Sequence, residues 1–214
     1  MNPDFAIVLN FNLNNAKNVD FDSLVKKARD IGVRAISASN DFQEACDKYT
    51  IKLIDEQNGE NLTTDNVINA IVENRKNGDK TVININLEDG KISASDEEML
   101  EKINSWMHMF GHAFNEGIPS ELSVDKDGFI LENRHANYQK YIFLKSPIPE
   151  KIAVKGLNEE PNRVEWIENR VDLKFNYTDE KLEIELVKPD DEFDWEVIRI
   201  QAHRPEDDIL ETKF

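Results

Sequence analysis

The chain has 214 residues, of which 39% are hydrophobic and 32% are charged, so its composition is that of a globular protein and excludes disorder of the whole chain. Asp and Glu together number 43 against 26 Lys and Arg, which gives a formal net charge of -17. This charge repels phosphate backbones and anionic lipid headgroups. We therefore expect neither nucleic acid nor a membrane surface as a partner.

The N-terminus and the cysteine content bear on the compartment. The first five residues, MNPDF, lack the basic region of a signal peptide, and no apolar run approaches the length of a membrane span. The single cysteine, Cys46, excludes an intramolecular disulfide and any cysteine-based zinc cluster. Cys46 has no adjacent basic residue, which favours buried packing over nucleophilic catalysis. We expect a cytoplasmic protein.

The first half of the sequence alternates between strand-like and helix-like patterns. Short apolar runs predict four strands, at residues 5–11, 33–37, 51–54 and 83–87. Apolar residues at helical spacing predict helices between them, and a longer helix follows the fourth strand. Ser95 and Glu98 form a capping-box pattern at its start, and Gly111 is expected to end it. This alternation is typical of parallel β-α units.

The second half changes to short alternating stretches without a helical window. They predict seven strands, at residues 128–132, 140–144, 151–154, 162–168, 171–177, 181–187 and 195–202. Strands at this spacing indicate a β-sandwich. We therefore expect an α/β domain over residues 1–117 and a β-sandwich domain over residues 118–214.

The titratable residues alone predict no active site. With 43 carboxylates in the chain, an acid and nucleophile pair cannot be assigned by counting. His108 and His112 lie four residues apart, but we expect Gly111 to break the helix between them, and no carboxylate completes a metal motif. Neither GxGxxG nor the P-loop pattern occurs. The sequence thus predicts no metal and no cofactor.

Two pairs of residues suggest carbohydrate binding. Trp166 and Trp195 lie on predicted strands and could either stack on a sugar ring or pack inward, and inward packing is favoured. Asn84 and Asn86 lie at the carboxyl end of a predicted strand, where β-α sheets usually bind ligands. Caps and turns use Asn just as readily. These four residues are the candidate carbohydrate-binding residues.

Two stretches of the sequence resemble parts of the α-L-fucosidases of glycoside hydrolase family 29. Residues 77–92, NGDKTVININLEDGKI, and the helix to Trp106 resemble the end of that family's barrel. There a strand of the form Leu-Leu-Asn-Ile-Gly-Pro precedes an Asp-Gly turn and a long helix carrying Trp. Residues 155–157 and the paired strands resemble the β-sandwich after the barrel. Residues 21–38 and 47–50 resemble the segments that flank a sugar-binding loop.

The chain departs from the family where the chemistry is expected. Where the family carries His-His-Asp-Gly-Phe, residues 39–43 are SNDFQ, so both sugar-contacting histidines are absent. The Trp-x-Asp context of the nucleophile is also missing. A complete eight-stranded barrel needs about 250 residues, and only about 115 precede the predicted sandwich. No catalytic residue carries over by resemblance.

The resemblance implies a degenerate, truncated relative of these fucosidases. The expected fold is α/β plus all-β: a four-stranded, mainly parallel α/β sheet of order 3-2-1-4, the remnant of a TIM barrel, followed by a C-terminal β-sandwich. The implied function is a non-catalytic fucosidase-like protein that acts as a carbohydrate-binding or protein-interaction module.

Two alternatives stay open. One is an active α-L-fucosidase-like glycoside hydrolase whose carboxylates are rebuilt from Asp41, Glu56 or Glu88. The other is a structural partner of a full-length glycosidase. An open sheet also leaves backbone groups unpaired at its edges, so we expect a homodimer through an exposed edge.

Overall fold

The computed structural model describes residues 5–13, 16–56, 58–190 and 193–202. The chain divides into two compact units, Met1–Asn115 and Glu116–Phe214. This division falls two residues before the domain boundary expected from the sequence. Among the described residues, no helix is both long and apolar enough to cross a membrane.

A five-stranded sheet forms the centre of the first unit. Its strands are β1 (Ile7–Asn12), β2 (Ala35–Ser37), β3 (Lys52–Ile54), β4 (Thr81–Glu88) and β5 (Lys91–Ile92). The first four are parallel and lie in the predicted order, β3-β2-β1-β4. The sheet is nevertheless mixed, and the expectation of four mainly parallel strands is corrected, because β5 pairs antiparallel with β4. Asp89 and Gly90 both have positive φ angles and turn the chain back into this hairpin.

Among the described residues, four helices accompany this sheet. They are α1 (Phe21–Asp30), α2 (Gln43–Tyr49), α3 (Val67–Lys76) and α4 (Ala94–Glu116), with a short 3-10 turn at Asn40–Phe42. Asp20 caps α1 by accepting a hydrogen bond from the Ser23 backbone N–H at 3.1 Å. This bond to the charged carboxylate lowers the pKa of Asp20.

Helix α4 differs from its prediction at both ends. Ser93, rather than Ser95, lies at its start, where its hydroxyl oxygen accepts a hydrogen bond from the Asp96 backbone N–H at 3.3 Å. The helix also continues through Gly111 to Glu116. Gly111 is buried, and a Cβ there would lie 3.3 Å from Met107 Cε, so this glycine serves close packing inside the helix. The predicted break between His108 and His112 is therefore wrong.

The second unit is built from two antiparallel sheets. The strands are β6 (Gly117–Pro119), β7 (Ser123–Val124), β8 (Gly128–Asn133), β9 (Gln139–Lys145), β10 (Lys151–Lys155), β11 (Arg163–Trp166), β12 (Lys174–Thr178), β13 (Lys181–Glu185) and β14 (Trp195–Gln201). One sheet has the order β12-β13-β10-β7, and the other has the order β11-β14-β9-β8-β6. All seven predicted strands are present, with ends that shift by up to three residues.

Both sheets of the second unit contribute to one hydrophobic core. Ile142 and Ile198 extend into it from one sheet, and Val154 and Leu182 from the other. All four side chains are completely buried. Burial of these side chains stabilises the packing of the two sheets against each other.

Candidate functional site

A band of polar side chains crosses one face of the first sheet near the carboxyl ends of its strands. Asn10 on β1 pairs with Ser37 on β2 and with Asn84 on β4, while Asn12 pairs with Asn86. Residues paired in this way point to the same face of a sheet. We call these five residues the polar band.

The same face is apolar toward the amino ends of the strands. Val8, Ala35 and Val82 form a small buried cluster there, and Ile54 packs against it. The face therefore changes from apolar to polar along the strand direction. Ligands of parallel α/β sheets bind outside the carboxyl ends of the strands, so the polar band is the candidate functional site.

Asn84 is the centre of a hydrogen-bond network in this band. Its side-chain oxygen accepts from Asn10 Nδ2 at 2.8 Å. Its own Nδ2 donates to the Gly59 carbonyl at 2.8 Å and to Asn61 Oδ1 at 2.9 Å. Both amide hydrogens are therefore in use, because a primary amide has two. Asn84 holds the segment 58–61 against the sheet.

The segment 58–61 also pairs with β4 through its backbone. The Glu60 N–H donates to the Val82 carbonyl at 2.7 Å, and the Asn84 N–H donates to the Glu60 carbonyl at 2.9 Å. This bridge is parallel and covers part of the edge of β4 that faces away from β1. Glycine is required at position 59 by space alone, because a Cβ would lie 2.1 Å from Asn84 Oδ1.

Ser37 and Glu56 form a second closed arrangement beside the band. The Ser37 hydroxyl donates to the Glu56 carbonyl at 2.8 Å and accepts from the Glu56 backbone N–H at 3.0 Å. The Glu56 carboxylate forms an ion pair with Lys80. Glu56, a predicted catalytic candidate, is thus engaged by a lysine.

Asn86 links the band to helix α4. Its backbone N–H donates to Asp96 Oδ2 at 2.7 Å, and its side-chain Nδ2 donates to the same oxygen at 3.3 Å. Asp96 is buried, whereas Asn86 is exposed. Asn86 is therefore the member of the predicted pair that a ligand can reach.

The backbone positions that carry Glu56 and Glu88 lie far apart in the first sheet. Glu88 lies four residues beyond Asn84, and Ser37, which binds the Glu56 backbone, is level with Asn84 two strands away. Strand geometry therefore separates the Glu88 backbone from the Ser37 backbone by roughly 10 Å across the sheet and roughly 13 Å along it. Glycosidase carboxylates lie about 5 to 10 Å apart. Asp41 lies on the 3-10 turn and accepts from the Ser39 hydroxyl at 3.0 Å.

The two tryptophans are buried in the second unit. Trp166 is 0% exposed, and its Nε1 donates to the Val187 carbonyl at 3.1 Å. Trp195 is 1% exposed and packs edge-to-face on Phe129 with 5.7 Å between ring centroids. Neither ring offers a face to a sugar, so the stacking role considered for them is wrong, and inward packing is observed.

Cys46 is completely buried, as predicted from the absence of an adjacent basic residue. Burial raises the pKa of its thiol to about 11, because the thiolate would lose its hydration. The thiol is therefore protonated at neutral pH and is a weak nucleophile. Among the described residues, no group of three or more His, Cys, Asp or Glu side chains could hold a metal ion.

Sequence reasoning missed Asn10 and Asn61 as partners of Asn84, and Ser37 as a member of the polar band. One signal was available, since strand β1 ends in the alternating pattern Asn-Phe-Asn and β4 carries the similar pattern Asn-Ile-Asn. Two such strands in neighbouring positions align their amides. The contribution of Asn61 had no signal, because it depends on how the segment after β3 returns to β4.

Comparisons with known proteins identify the fold. No protein-family model and no curated protein sequence matches the chain. Solved structures of α-L-fucosidases do match. The enzyme from Thermotoga maritima shares 20% identity and a TM-score of 0.53 over 66% of this chain and 34% of its own. Isoenzyme 1 from Paenibacillus thiaminolyticus shares 16% identity and a TM-score of 0.56 over 67% of this chain and 35% of its own.

A family 29 α-L-fucosidase from Bacteroides thetaiotaomicron shares 16% identity and a TM-score of 0.56 over 78% of this chain and 36% of its own. The chain thus spans about a third of the length of the solved enzymes it matches. At this identity the likeness shows a fucosidase-like fold, with mixed α/β structure and several sheets.

Proposed function

We propose that this protein is a non-catalytic, truncated relative of the family 29 α-L-fucosidases that binds carbohydrate. In this proposal the first unit is the remnant of a barrel and the second is a β-sandwich. The strand order supports the first part, because β4 lies beside β1 as the last and first strands do in a closed barrel. The core shared by the two sheets supports the second part.

The composition of the polar band is the observation that carries the proposal. Its members are four amides and one hydroxyl, which are groups that exchange hydrogen bonds with sugar hydroxyls. One candidate acid beside the band, Glu56, is held by Lys80. Since Asn84 is occupied by the segment 58–61, we place the sugar at the outer end of the band, where Asn86 is exposed.

Calorimetric titration of the full chain with L-fucose and fucosylated oligosaccharides tests this proposal, with a chromogenic aryl fucoside assayed on the same sample. We expect binding without turnover. Asn86→Ala should weaken the binding at least about tenfold, since it removes a direct hydrogen-bonding group. Asn176→Ala is the matched control, because Asn176 is an exposed strand amide of the second unit.

Other outcomes of the same experiment point to the alternatives. Turnover that Asp41→Asn, Glu56→Gln or Glu88→Gln abolishes would establish an active glycosidase. Binding that survives Asn86→Ala would show that the sugar does not bind at Asn86. The next candidate site would then be a cleft of about 740 Å³ in the second unit, which is bordered by Asn137 and Lys140. Absence of both binding and turnover would favour a protein-interaction module or a structural partner of a full-length glycosidase.

We also propose a homodimer through the outer edge of β3. The opposite edge of the sheet is covered in part by Glu60 and by β5, whereas β3 is the terminal strand of its sheet. An unpaired parallel edge presents backbone donors and acceptors to a second copy. Sedimentation velocity should show a dimer, and Leu53→Pro, which removes a backbone N–H at this edge, should shift it to monomer.

A further inference from the structure

His108 and His112 occupy one face of an unbroken helix. Helix α4 spans Ala94–Glu116, so both histidines have helical neighbours on either side. Side chains four residues apart in a helix are neighbours, with Cβ atoms about 5 to 6 Å apart. Both side chains are exposed. In the part of the chain that the structure describes, neither imidazole has a hydrogen-bond or ion-pair partner that would compete for its nitrogens.

The opposite face of the helix fixes the backbone under these histidines. Trp106 packs against Phe110 and Phe114 with ring centroids 5.4 and 5.2 Å apart. The three rings are at most 1% exposed. Gly111 is buried in the same stripe of the helix. A ligand that joins the two imidazoles would therefore meet a preformed spacing, and only side-chain rotamers would need to be fixed.

We propose that His108 and His112 form a two-point chelate for one late transition-metal ion, such as Cu²⁺, Ni²⁺ or Zn²⁺. Imidazole nitrogen suits all three ions, and histidines at i and i+4 on one helix face bind zinc in metalloproteases. Both residues lie in the second half of α4, toward the negative end of the helix dipole. The net charge of -17 further favours cations over anions near the surface.

Two protein ligands leave the remaining coordination positions to water or to groups of another molecule. The site would thus resemble an open metal site more than a closed structural one. Affinity should follow the order in which copper binds more tightly than nickel and zinc. The inference depends only on α4 and is independent of the proposed carbohydrate binding.

Calorimetric titration of the tag-free full chain with CuCl₂ tests the chelate. We expect a copper site whose affinity falls at least about tenfold in His108→Ala and equally in His112→Ala, because each change removes a direct ligand. His135→Ala is the matched control and should leave this affinity unchanged, since its imidazole is not on helix α4 and its Nε2 already lies 3.2 Å from Oε2 of Glu116, the last residue of that helix. Circular dichroism would verify that all variants keep their helix content.

A repositioned histidine distinguishes chelation from simple loss of one imidazole. In the His112→Ala background, Asn104→His places a histidine four residues before His108 and should restore the affinity. Glu101→His in the same background places it seven residues away, about 10 Å along the axis, and should not. Equal copper binding in the wild type and both single variants would overturn the proposal, as would failure of Asn104→His to restore affinity while Glu101→His does.

Discussion

In the first unit, Asn84 is surrounded by neutral groups, whereas in the second unit Glu165 is surrounded by cations. Glu165 on β11 is 0% exposed. Its carboxylate forms an ion pair with Arg199, a second with Arg170 at 3.1 Å and a third with Arg163 at 3.0 Å. Each unit therefore contains one cluster in which a central polar side chain has several polar partners.

The two clusters depend on different physical terms. The amide network around Asn84 needs correct direction and spacing, because neutral hydrogen bonds are lost when the donor and acceptor move apart. The cluster around Glu165 needs charge compensation. A buried carboxylate loses its hydration, and only attraction to nearby cations offsets that loss. Changes in shape should therefore break the first cluster, and changes in charge should break the second.

Glu165→Gln should produce the largest effect among these tests. The neutral amide keeps the shape of the side chain but leaves three arginine groups without their shared anion. We expect a loss of about 3 kcal/mol in the free energy of unfolding, the low end for breaking a buried ion pair, because the arginines are partly exposed. Urea denaturation followed by tryptophan fluorescence would measure it.

Glu183→Gln is the control for Glu165→Gln. Glu183 is paired with Lys181 but more than half of its side chain is exposed. Its removal should leave the unfolding midpoint unchanged, because exposed ion pairs contribute little. If both variants unfolded at the wild-type midpoint, charge compensation at Glu165 would contribute nothing measurable to stability.

Gly59→Ala should break the neutral cluster by shape alone. The added methyl group would lie 2.1 Å from Asn84 Oδ1, so the segment 58–61 must move away from β4. We expect a loss of about 2 kcal/mol, within the range for overpacking. Asn84→Ala removes the obstructing amide, so Gly59→Ala should cost much less in that background.

The double-mutant cycle of Gly59→Ala and Asn84→Ala measures this coupling. Additive losses from the two changes would show that Gly59 and Asn84 do not interact in the folded chain. In that case the segment 58–61 would not be held by the polar band, and Asn84 would be available to a ligand.

Asp96→Asn tests a cluster of intermediate kind, in which a charged group binds a neutral one. Asp96 is an anion that accepts hydrogen bonds from Asn86 of the polar band. Its Oδ2 accepts two hydrogen bonds from Asn86, and an Asn oxygen can still accept them without the negative charge. We therefore expect a loss of only about 1 kcal/mol. Glu98→Gln, an exposed change directly after the first turn of the same helix, corrects for the helix dipole. An equal loss in both variants would assign the effect to the dipole rather than to Asn86.

Strand-level patterns predicted much of the fold, because apolar runs and alternation depend on neighbouring residues. The order β3-β2-β1-β4 followed from the resemblance to a barrel end. Strands β5 and β7 were missed because two residues are too few to show alternation, and β6 was missed because its sequence Gly-Ile-Pro is that of a turn rather than of an apolar run. Gly111 was misinterpreted as a helix end, since local sequence cannot distinguish a capping glycine from one that packs closely on a methionine within the helix.

The site was only partly predictable for the same reason. Asn84 and Asn86 were found from their position at a strand end, but Asn10 binds Asn84 across 74 residues of sequence. The cluster around Glu165 had no signal, because one carboxylate among 43 is not distinguished until three arginines from separate positions surround it.

Cys46 extends the comparison to a group that is buried without charge compensation. Its contribution to the pH dependence of the unfolding free energy should be the smallest of these effects. Its pKa of about 11 lies above the value of about 8.5 expected in the unfolded chain. The folded thiol therefore stays protonated while the unfolded thiol ionises, so stability should fall as the pH rises from about 8.5 toward 11. At pH 9 the loss attributable to Cys46 should stay below about 1 kcal/mol. The difference in unfolding free energy between the wild type and Cys46→Ala, measured at pH 7 and again at pH 9, isolates the loss attributable to Cys46.

A native thiol that reacts with Ellman's reagent at pH 8 as fast as the urea-unfolded chain would contradict the raised pKa, because only the thiolate reacts.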